Sequence, residues 1–232
     1  MNSALKSNFK IVNIKYLKKT KDPRIHVYCS LKDGNTEFDK QFGLPNGYDS
    51  HTIADAPSGS FVGLENTSNF NINTILRLDA PTIFLMPSET KLLLAEAVLR
   101  NWTNGNAEVL YKEAITSSMK EQEIAYGTQG KITDEEIETY LAQNLFSTAN
   151  NTEKLQIIGE QYWVATFING YESYANWRRT GYPKLIPTNY SGSMSPGVIP
   201  TRLPYPTDEY SINRANVDTA NQQQGADKVT TH

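Results

Sequence analysis

The sequence predicts a mainly α-helical fold, with a tetratricopeptide-like helix hairpin, a long buried helix, extensive irregular loops and a few short strands. Apolar residues recur at helical spacing on both sides of an Asn104-Gly105 turn, which indicates the hairpin. From residue 155 to residue 177 they occupy two overlapping stripes, which indicates the buried helix. We expect residues 1–80 to form a loop-rich segment and residues 81–232 a helical region, together one structural unit of a longer protein.

The beginning of the chain is rich in lysine, but the whole chain carries 22 basic and 25 acidic residues. This balance, and the lack of an interleaved aromatic ladder, predict no nucleic-acid partner. Phe9, Ile11 and Ile14 indicate a short strand or a helical turn. From Ile25 to Leu31 apolar and polar residues alternate, which predicts a half-buried strand. Cys29 lies in it and is the only cysteine, so the chain has no internal disulfide.

Residues 34–80 are rich in Gly, Asn, Ser, Asp and Pro, which predicts a loop with at most short strands. A loop of this length in a compact domain is usually functional or disordered. Three of its aromatic residues, Tyr48, Phe61 and Phe70, lie outside any periodic core pattern. They either pack within the loop or offer flat surfaces to a ligand.

Pro87-Ser88-Glu89 predicts the start of the first hairpin helix, because a capping residue is followed by an acid. One stripe of this helix continues to Trp102, so we predict that Trp102 is buried in the core. The stripe consists of Leu92, Ala95, Leu99 and Trp102. After the turn, helical spacing resumes at Ala107 and continues toward Tyr126.

Thr133 and Glu136 have the spacing of a capping box, which predicts a short helix with Ile137, Tyr140 and Leu141 inward. Asn150-Asn151-Thr152 then caps the long helix. Its two stripes are Leu155, Ile158, Tyr162, Ala165, and Ile157, Val164, Ile168, Tyr171, Ala175. Because these stripes overlap, we expect the helix to be central and Trp163 and Trp177 to be buried.

The long helix is predicted to end within residues 177–183. Gly181 can leave the helix in a left-handed conformation, and Pro183 prevents the helix from resuming. Residues 200–206 contain three prolines and should form a rigid extended segment. After Asn213 the chain is polar, and we expect little helix there.

Arg178 and Arg179 fall in the last turn of this helix, where cations complement the partial negative charge of a helix C-terminus. We predict that at least one of them pairs with a carboxylate of the chain. Glu172 and Glu160 are the candidate partners. Binding of an anionic ligand is the alternative role for the two arginines.

Two segments of the chain, ESYANWRRTGYP at 172–183 and IPTRLPYPTDEYSIN at 199–213, resemble the C-terminal signature of the SusD/RagB family. The structural motif in these segments comprises Trp177, Arg178, Arg179, Gly181 and Arg202. Further motifs occur in the family's order, at residues 22–24, 43–47, 80–85, 94–97, 111–115 and 213–216. The resemblance extends over nearly the whole chain and corresponds to the C-terminal half of such proteins.

The resemblance implies a surface lipoprotein that captures glycans or other nutrients beside a SusC-like TonB-dependent transporter. The implied location is the cell outer membrane, exposed at the surface. Attachment to the membrane would occur only through a lipid anchor in an N-terminal part that lies outside this chain, because residues 26–28 before Cys29 do not fit a lipoprotein signal.

The chemistry-bearing residues predict no enzyme and no cofactor. His26, His51 and His232 have no metal-ligand spacing, and the sequence contains no phosphate-binding loop, dinucleotide fingerprint or nucleophile elbow. Two alternatives to nutrient binding stay open. The chain could be a helical-repeat scaffold for a protein partner, or a glycoside hydrolase, because a catalytic carboxylate pair is defined by its separation in space.

A sugar-binding site needs an exposed aromatic face with hydrogen-bonding groups nearby. The candidates are the loop aromatics Tyr190, Tyr48, Phe61 and Phe70, each with Asn, Asp or Ser within three residues. We rank Tyr190 first, because it lies between Asn189 and Ser191 in the loop that follows the helix-end motif.

Overall fold

Helices form most of the computed structural model, which describes residues 10–45, 48, 53, 62–187, 195 and 197–225. This confirms the mainly α-helical fold predicted from the sequence. The described helices are α1 (Lys10–Thr20), α2 (Ile25–Tyr28), α3 (Pro87–Leu99), α4 (Ala107–Tyr126), α5 (Asp134–Gln143), α6 (Asn151–Ala165), α7 (Gly170–Thr180), α8 (Thr207–Ile212) and α9 (Arg214–Gln224). Short 3-10 helices occupy Phe38–Lys40 and Gly127–Gly130. The chain divides into two compact units, Met1–Lys184 and Leu185–His232.

Two short strands, β1 (Cys29–Ser30) and β2 (Asn69–Phe70), pair in an antiparallel arrangement with Cys29 opposite Phe70. Cys29 is buried, as the sequence predicts, and burial raises the pKa of its thiol to about 12. The thiol therefore stays protonated at neutral pH and acts as a small apolar side chain.

The strand predicted for residues 25–31 is wrong over most of its length, because Ile25–Tyr28 is the helix α2. The Asp22 carboxylate accepts a hydrogen bond from the Arg24 backbone N–H at 3.0 Å, and this local bond favours a helical start. Alternation misled the prediction because three of the four residues at its polar positions, Arg24, Tyr28 and Ser30, are buried as well. Arg24, whose charge suggests exposure, is completely buried. Upstream, α1 is 11 residues long, more than the strand or single turn expected there.

Arg24 lies at the centre of a buried polar network. Its guanidinium donates hydrogen bonds to the Asp22 carboxylate, to Ser118 on α4 at 3.0 Å and to Gln161 on α6 at 2.7 Å. Gln161 in turn donates to the Tyr140 hydroxyl on α5 at 2.7 Å. A buried charge is tolerable only when it is paired and hydrogen-bonded, so this network fixes how the surrounding helices meet.

The predicted helix hairpin is present as α3 and α4, which pack along each other. Leu92 and Ala95 are buried, as predicted from their stripe, and the Asn106 side chain caps α4 by accepting the Glu108 and Val109 N–H groups. The burial predicted for Trp102 is wrong, because this residue is 71% exposed. Its stripe was extended past the end of α3 at Leu99, beyond which the chain turns away from the core.

The single long helix predicted up to Trp177 is two helices, α6 and α7, separated at residues 166–169. Side-chain hydrogen bonds accompany the break. The Thr166 hydroxyl donates to the Tyr162 carbonyl at 2.8 Å, the Ser173 hydroxyl donates to the Thr166 carbonyl at 3.0 Å, and Asn169 caps α7. Such local side-chain bonds compete with helix continuation, and the periodicity of apolar residues does not reveal them.

The capped starts predicted for α5 and α6 are both present, with Thr133 and Asn150 as the caps. On α5, Ile137 and Tyr140 are buried, and Leu141 is half-buried. On α6, Trp163 is buried, as expected.

In the unit Leu185–His232, residues 200–206 contain neither helix nor strand, as their prolines predict. The expectation of little helix after Asn213 is wrong, because α9 occupies Arg214–Gln224. Arg214 and Asp218 pair four residues apart along this helix at 3.0 Å, and Val217 is its buried residue. This i,i+4 pair supports a helix whose composition is otherwise polar.

Candidate functional site

Two of the four aromatic residues predicted to contact a ligand, Phe61 and Tyr190, lie outside the described residues. Tyr48 is half-buried. Phe70 is half-buried in β2, and its ring packs edge-on against Phe167 with centroids 5.7 Å apart. This packing gives Phe70 a structural role, and ligand contact at the four positions stays a prediction.

The helix-end motif has the predicted backbone geometry, with Gly181 at φ 71° and ψ 14°. Its N–H donates to the Trp177 carbonyl at 2.7 Å, which closes the last turn of α7. The expected ion pair forms at Arg179, but the partner is Glu96 on α3 instead of Glu172 or Glu160. The sequence could not reveal this partner, because residues 96 and 179 meet only through tertiary packing.

Arg179 and Glu96 form a bidentate pair, with nitrogen–oxygen distances of 2.6 and 2.7 Å. Arg100 donates to the same carboxylate at 2.8 Å. Burial alone would raise the pKa of Glu96, but the hydrogen bonds from the two arginines outweigh burial and lower it below its ordinary value. The pair therefore clamps α7 to α3 and has a structural role.

Arg178 points elsewhere, and its guanidinium lies 5.7 Å from the ring centroid of Tyr174. The Tyr174 and Trp177 rings stack with centroids 6.2 Å apart and planes 20° apart. One turn earlier, Tyr171 is 91% exposed, and Tyr174 is 40% exposed. We call Tyr171, Tyr174, Trp177 and Arg178 the aromatic stripe of α7.

Two residues of the aromatic stripe are more exposed than the sequence predicts. The sequence predicts Tyr171 in a buried stripe of the long helix, yet it is exposed, because the helix is interrupted at residues 166–169 and the stripe does not continue across the break. Trp177 was expected in the core and is half-buried. The signal that could have revealed the stripe is Asn169-Gly170, a capping residue followed by a helix-weakening one.

A cleft lies on another face of the same unit, between the segment after α1, the 3-10 helix Phe38–Lys40 and α5. Its volume is about 550 Å³. It is lined by Lys21, Pro23, Ile25, His26, Thr36, Phe38, Asp39, Glu135, Glu136, Thr139, Tyr140 and Gln143. Clefts of this size with a few polar groups commonly hold small ligands. Sequence reasoning missed this cleft because its walls are more than 90 residues apart in the chain.

Within the described part of the chain, no cluster of three or more His, Cys, Asp or Glu side chains could hold a metal ion. Likewise, no helix among these residues combines the length and the apolar character needed to cross a membrane.

A helix hairpin packed on a buried polar network, with exposed aromatic rings on a further helix, places the chain among helical proteins of the tetratricopeptide-like type. The chain belongs to the SusD-like family, whose model matches residues 6–206 and is described as starch-binding, associating with the outer membrane. No curated protein matches the chain.

Three solved structures illustrate the similarity. A chitin-binding protein is 29% identical, with a TM-score of 0.73 over 96% of this chain and 48% of its own. A SusD homologue from Bacteroides fragilis is 26% identical, with a TM-score of 0.74 over 94% of this chain and 50% of its own. A second SusD homologue from Bacteroides fragilis, at 24% identity, shares the fold with a TM-score of 0.75 over 99% of this chain and 54% of its own. The chain thus spans about half the length of each of these structures.

Proposed function

We propose that the chain is the glycan-binding part of a nutrient-uptake protein at the outer cell surface, which delivers its ligand to a TonB-dependent outer-membrane transporter. The family description, starch-binding and associating with the outer membrane, supports the ligand class and the location. The similarity to a chitin-binding protein supports the same ligand class. A lipid anchor and a SusC-like partner are part of this proposal.

The observation that carries the proposal is the aromatic stripe of α7. The Tyr171 ring is 91% exposed, and the C–H face of a pyranose packs well on an exposed aromatic ring. Arg178 lies over the Tyr174 ring and can donate hydrogen bonds to sugar hydroxyls beside it. The stripe therefore offers the apolar face and the polar donors that a sugar requires.

Binding to this stripe is testable with purified protein, by titration with maltoheptaose and with chitin oligosaccharides in a calorimeter. Tyr171→Ala and Tyr174→Ala should each weaken binding about tenfold, which corresponds to about 1.4 kcal/mol. Trp102→Ala is the matched control, because Trp102 is also exposed and also lies beneath an arginine, Arg100, at 5.4 Å. Equal losses in all three variants would contradict a specific role for the stripe.

The four loop positions, Tyr190, Tyr48, Phe61 and Phe70, are proposed as further ligand contacts. The same titration tests them with alanine variants. If binding is detected and all four variants bind like the unmodified protein, the loop aromatics do not form the ligand face. The proposal then rests on the α7 stripe alone.

Non-enzymatic binding is also part of the proposal, and glycoside hydrolysis is its competitor. Incubating the protein with the same oligosaccharides and separating the products by chromatography distinguishes the two. Intact oligosaccharides together with measurable binding support a binding protein. Shortened products would replace the proposal with a hydrolase, and a protein that binds no oligosaccharide at all would favour a scaffold for a protein partner.

A further inference from the structure

We propose that the cleft between the segment after α1 and helix α5 is a subsite for a sugar that carries a free amino group, such as a glucosamine unit. This inference rests on the proposed glycan-binding function and names the kind of sugar that the chain prefers. It concerns residues distant in sequence from the α7 stripe, so the two sites can be altered separately.

The shape of the cleft fits one or two sugar rings. Its volume of about 550 Å³ lies within the range of pockets that bind small ligands. Phe38, which is half-buried, is the aromatic residue of its lining that can offer a ring face, because Tyr140 is buried. A pyranose ring can therefore pack against Phe38 with its hydroxyl edge toward the polar lining.

Several lining side chains have hydrogen-bonding groups that no described residue uses. Asp39 and Glu135 form no side-chain ion pair or hydrogen bond within the described part of the chain. The hydroxyl groups of Thr36 and Thr139 and the side-chain amide of Gln143 likewise form no hydrogen bond with the described residues. These groups match the many donors and acceptors that a sugar presents.

The charge of the cleft lining favours an amino sugar over a neutral sugar. The lining holds three carboxylates, from Asp39, Glu135 and Glu136, against one lysine, Lys21. Glu136 is occupied, because its carboxylate accepts the Thr133 backbone N–H and hydroxyl in the capping box of α5. Asp39 and Glu135 remain as two carboxylates that an ammonium group on the ligand could meet.

Acids at the start of a helix also complement its dipole, and this structural role explains part of the charge. Asp134 is further held by Lys120 at 2.6 Å, and Glu136 by the capping box. Asp39 comes from a different element, the 3-10 helix across the cleft. The dipole role does not explain why carboxylates from two walls line the same concave space together with an aromatic ring.

His26 adds a further polar side chain to the wall. Its Nε2 donates to the Lys131 carbonyl at 3.3 Å, which holds the ring in place.

The test compares a tetramer of glucosamine with a tetramer of N-acetylglucosamine, by calorimetry at about pH 6, where amines of this class are protonated. The unmodified protein should bind the free-amine tetramer about tenfold more tightly. The double variant Asp39→Asn with Glu135→Gln should lose this preference. Glu138→Gln is the matched control, because Glu138 lies on α5, is exposed and does not line the cleft.

Raising the salt concentration to about 0.5 M should shrink the preference of the unmodified protein, since exposed charges are screened. Equal binding of the two tetramers, or a preference that survives in the double variant, overturns the inference. In that case maltoheptaose binding that still depends on Tyr171 leaves the proposed function intact. A protein that binds none of the three oligosaccharides overturns both.

Discussion

Arg178 and Arg179 are neighbours of the same chemical type with different surroundings, and they form a matched pair for mutation. Arg179 makes a bidentate pair with the buried Glu96, while Arg178 lies over Tyr174 at the surface. Replacing Arg179 by Ala should lower the free energy of unfolding by about 1–3 kcal/mol, the scale for losing charge-assisted hydrogen bonds. Replacing Arg178 by Ala should change it by less than about 0.5 kcal/mol. Urea unfolding measures both, and equal effects would contradict the assignment.

The contribution of the Arg179–Glu96 pair should depend on pH. The pKa of Glu96 is lower in the folded protein than its ordinary value, so the pair stabilises the fold above the ordinary glutamate pKa of about 4.3. That stability is lost as the pH falls through the lower, folded pKa. The difference in unfolding free energy between the unmodified protein and Arg179→Ala should therefore be larger at pH 7 than at pH 3. A difference independent of pH would exclude the ion pair as its source.

The pKa of Glu89, at the start of α3, shifts in the opposite direction to that of Glu96. Burial raises the pKa of its carboxyl group, and the neighbouring Glu172 and Glu121 raise it further. Its Oε1 accepts the Met86 N–H at 3.0 Å, whereas its buried Oε2 has no partner among the described residues. A raised folded pKa means that the contribution to stability is present below the ordinary value and lost as the pH rises through the folded one.

Glu89→Gln removes this titration and keeps the acceptor for the Met86 N–H. We expect the variant to be more stable than the unmodified protein by about 1 kcal/mol at pH 8, and of similar stability at pH 4. Thermal unfolding at the two pH values measures this. A variant less stable than the unmodified protein at pH 8 would show that the carboxylate charge is needed there.

At the scale of elements, the packing of α6 against the end of α7 depends on a glycine. A Cβ placed on Gly159 would lie 2.7 Å from the Cβ of Tyr182, which is too close for any real contact. Gly159→Ala should therefore lower the free energy of unfolding by about 1–3 kcal/mol, the usual cost of overpacking. Gly170→Ala is the control, because a Cβ there meets nothing within 4 Å and alanine favours the helix. Unfolding curves that coincide for the two variants would contradict the close contact.

The helices show which patterns in the sequence were sufficient to predict the structure. The hairpin α3–α4 and the capped start of α5 were predictable, because helical spacing and a capping box are local patterns. The break between α6 and α7 was not, because it depends on hydrogen bonds from Thr166 and Ser173 that periodicity does not encode. Arg24 was also missed, because burial of a charge depends on partners as distant in sequence as Gln161.

For the candidate site, too, only the local patterns could be predicted from the sequence. The sequence located the helix end that carries the aromatic stripe, since Gly181 and Pro183 are local stop signals. It placed Tyr171 in the core. The correct placement depends on the break between α6 and α7, which the pattern of apolar residues does not reveal. The cleft was out of reach altogether, since Phe38 and Glu135 meet only in the folded chain.

At the scale of the whole molecule, apolar side chains of the hairpin remain in contact with water. Leu93 and Leu94 on α3 are 43% and 44% exposed, and Ile124 on α4 is 83% exposed. The sequence predicts such a face, because a single helix hairpin cannot bury both of its sides and repeat arrays need neighbours. The solved structures that the chain resembles are about twice as long, as coverage of 48% and 50% indicates.

An uncovered apolar face should be detectable in solution. We expect the chain to bind the dye ANS, whose fluorescence rises on exposed apolar surface. The double variant Leu93→Gln with Leu94→Gln should bind less dye, while its unfolding free energy changes by less than about 0.5 kcal/mol, as for other surface substitutions. Thr90→Gln, an exposed polar position on the same helix, is the control and should leave dye binding unchanged. A cooperatively folded chain with little dye binding, or with dye binding that the double variant does not reduce, would show that this face is covered within the chain itself.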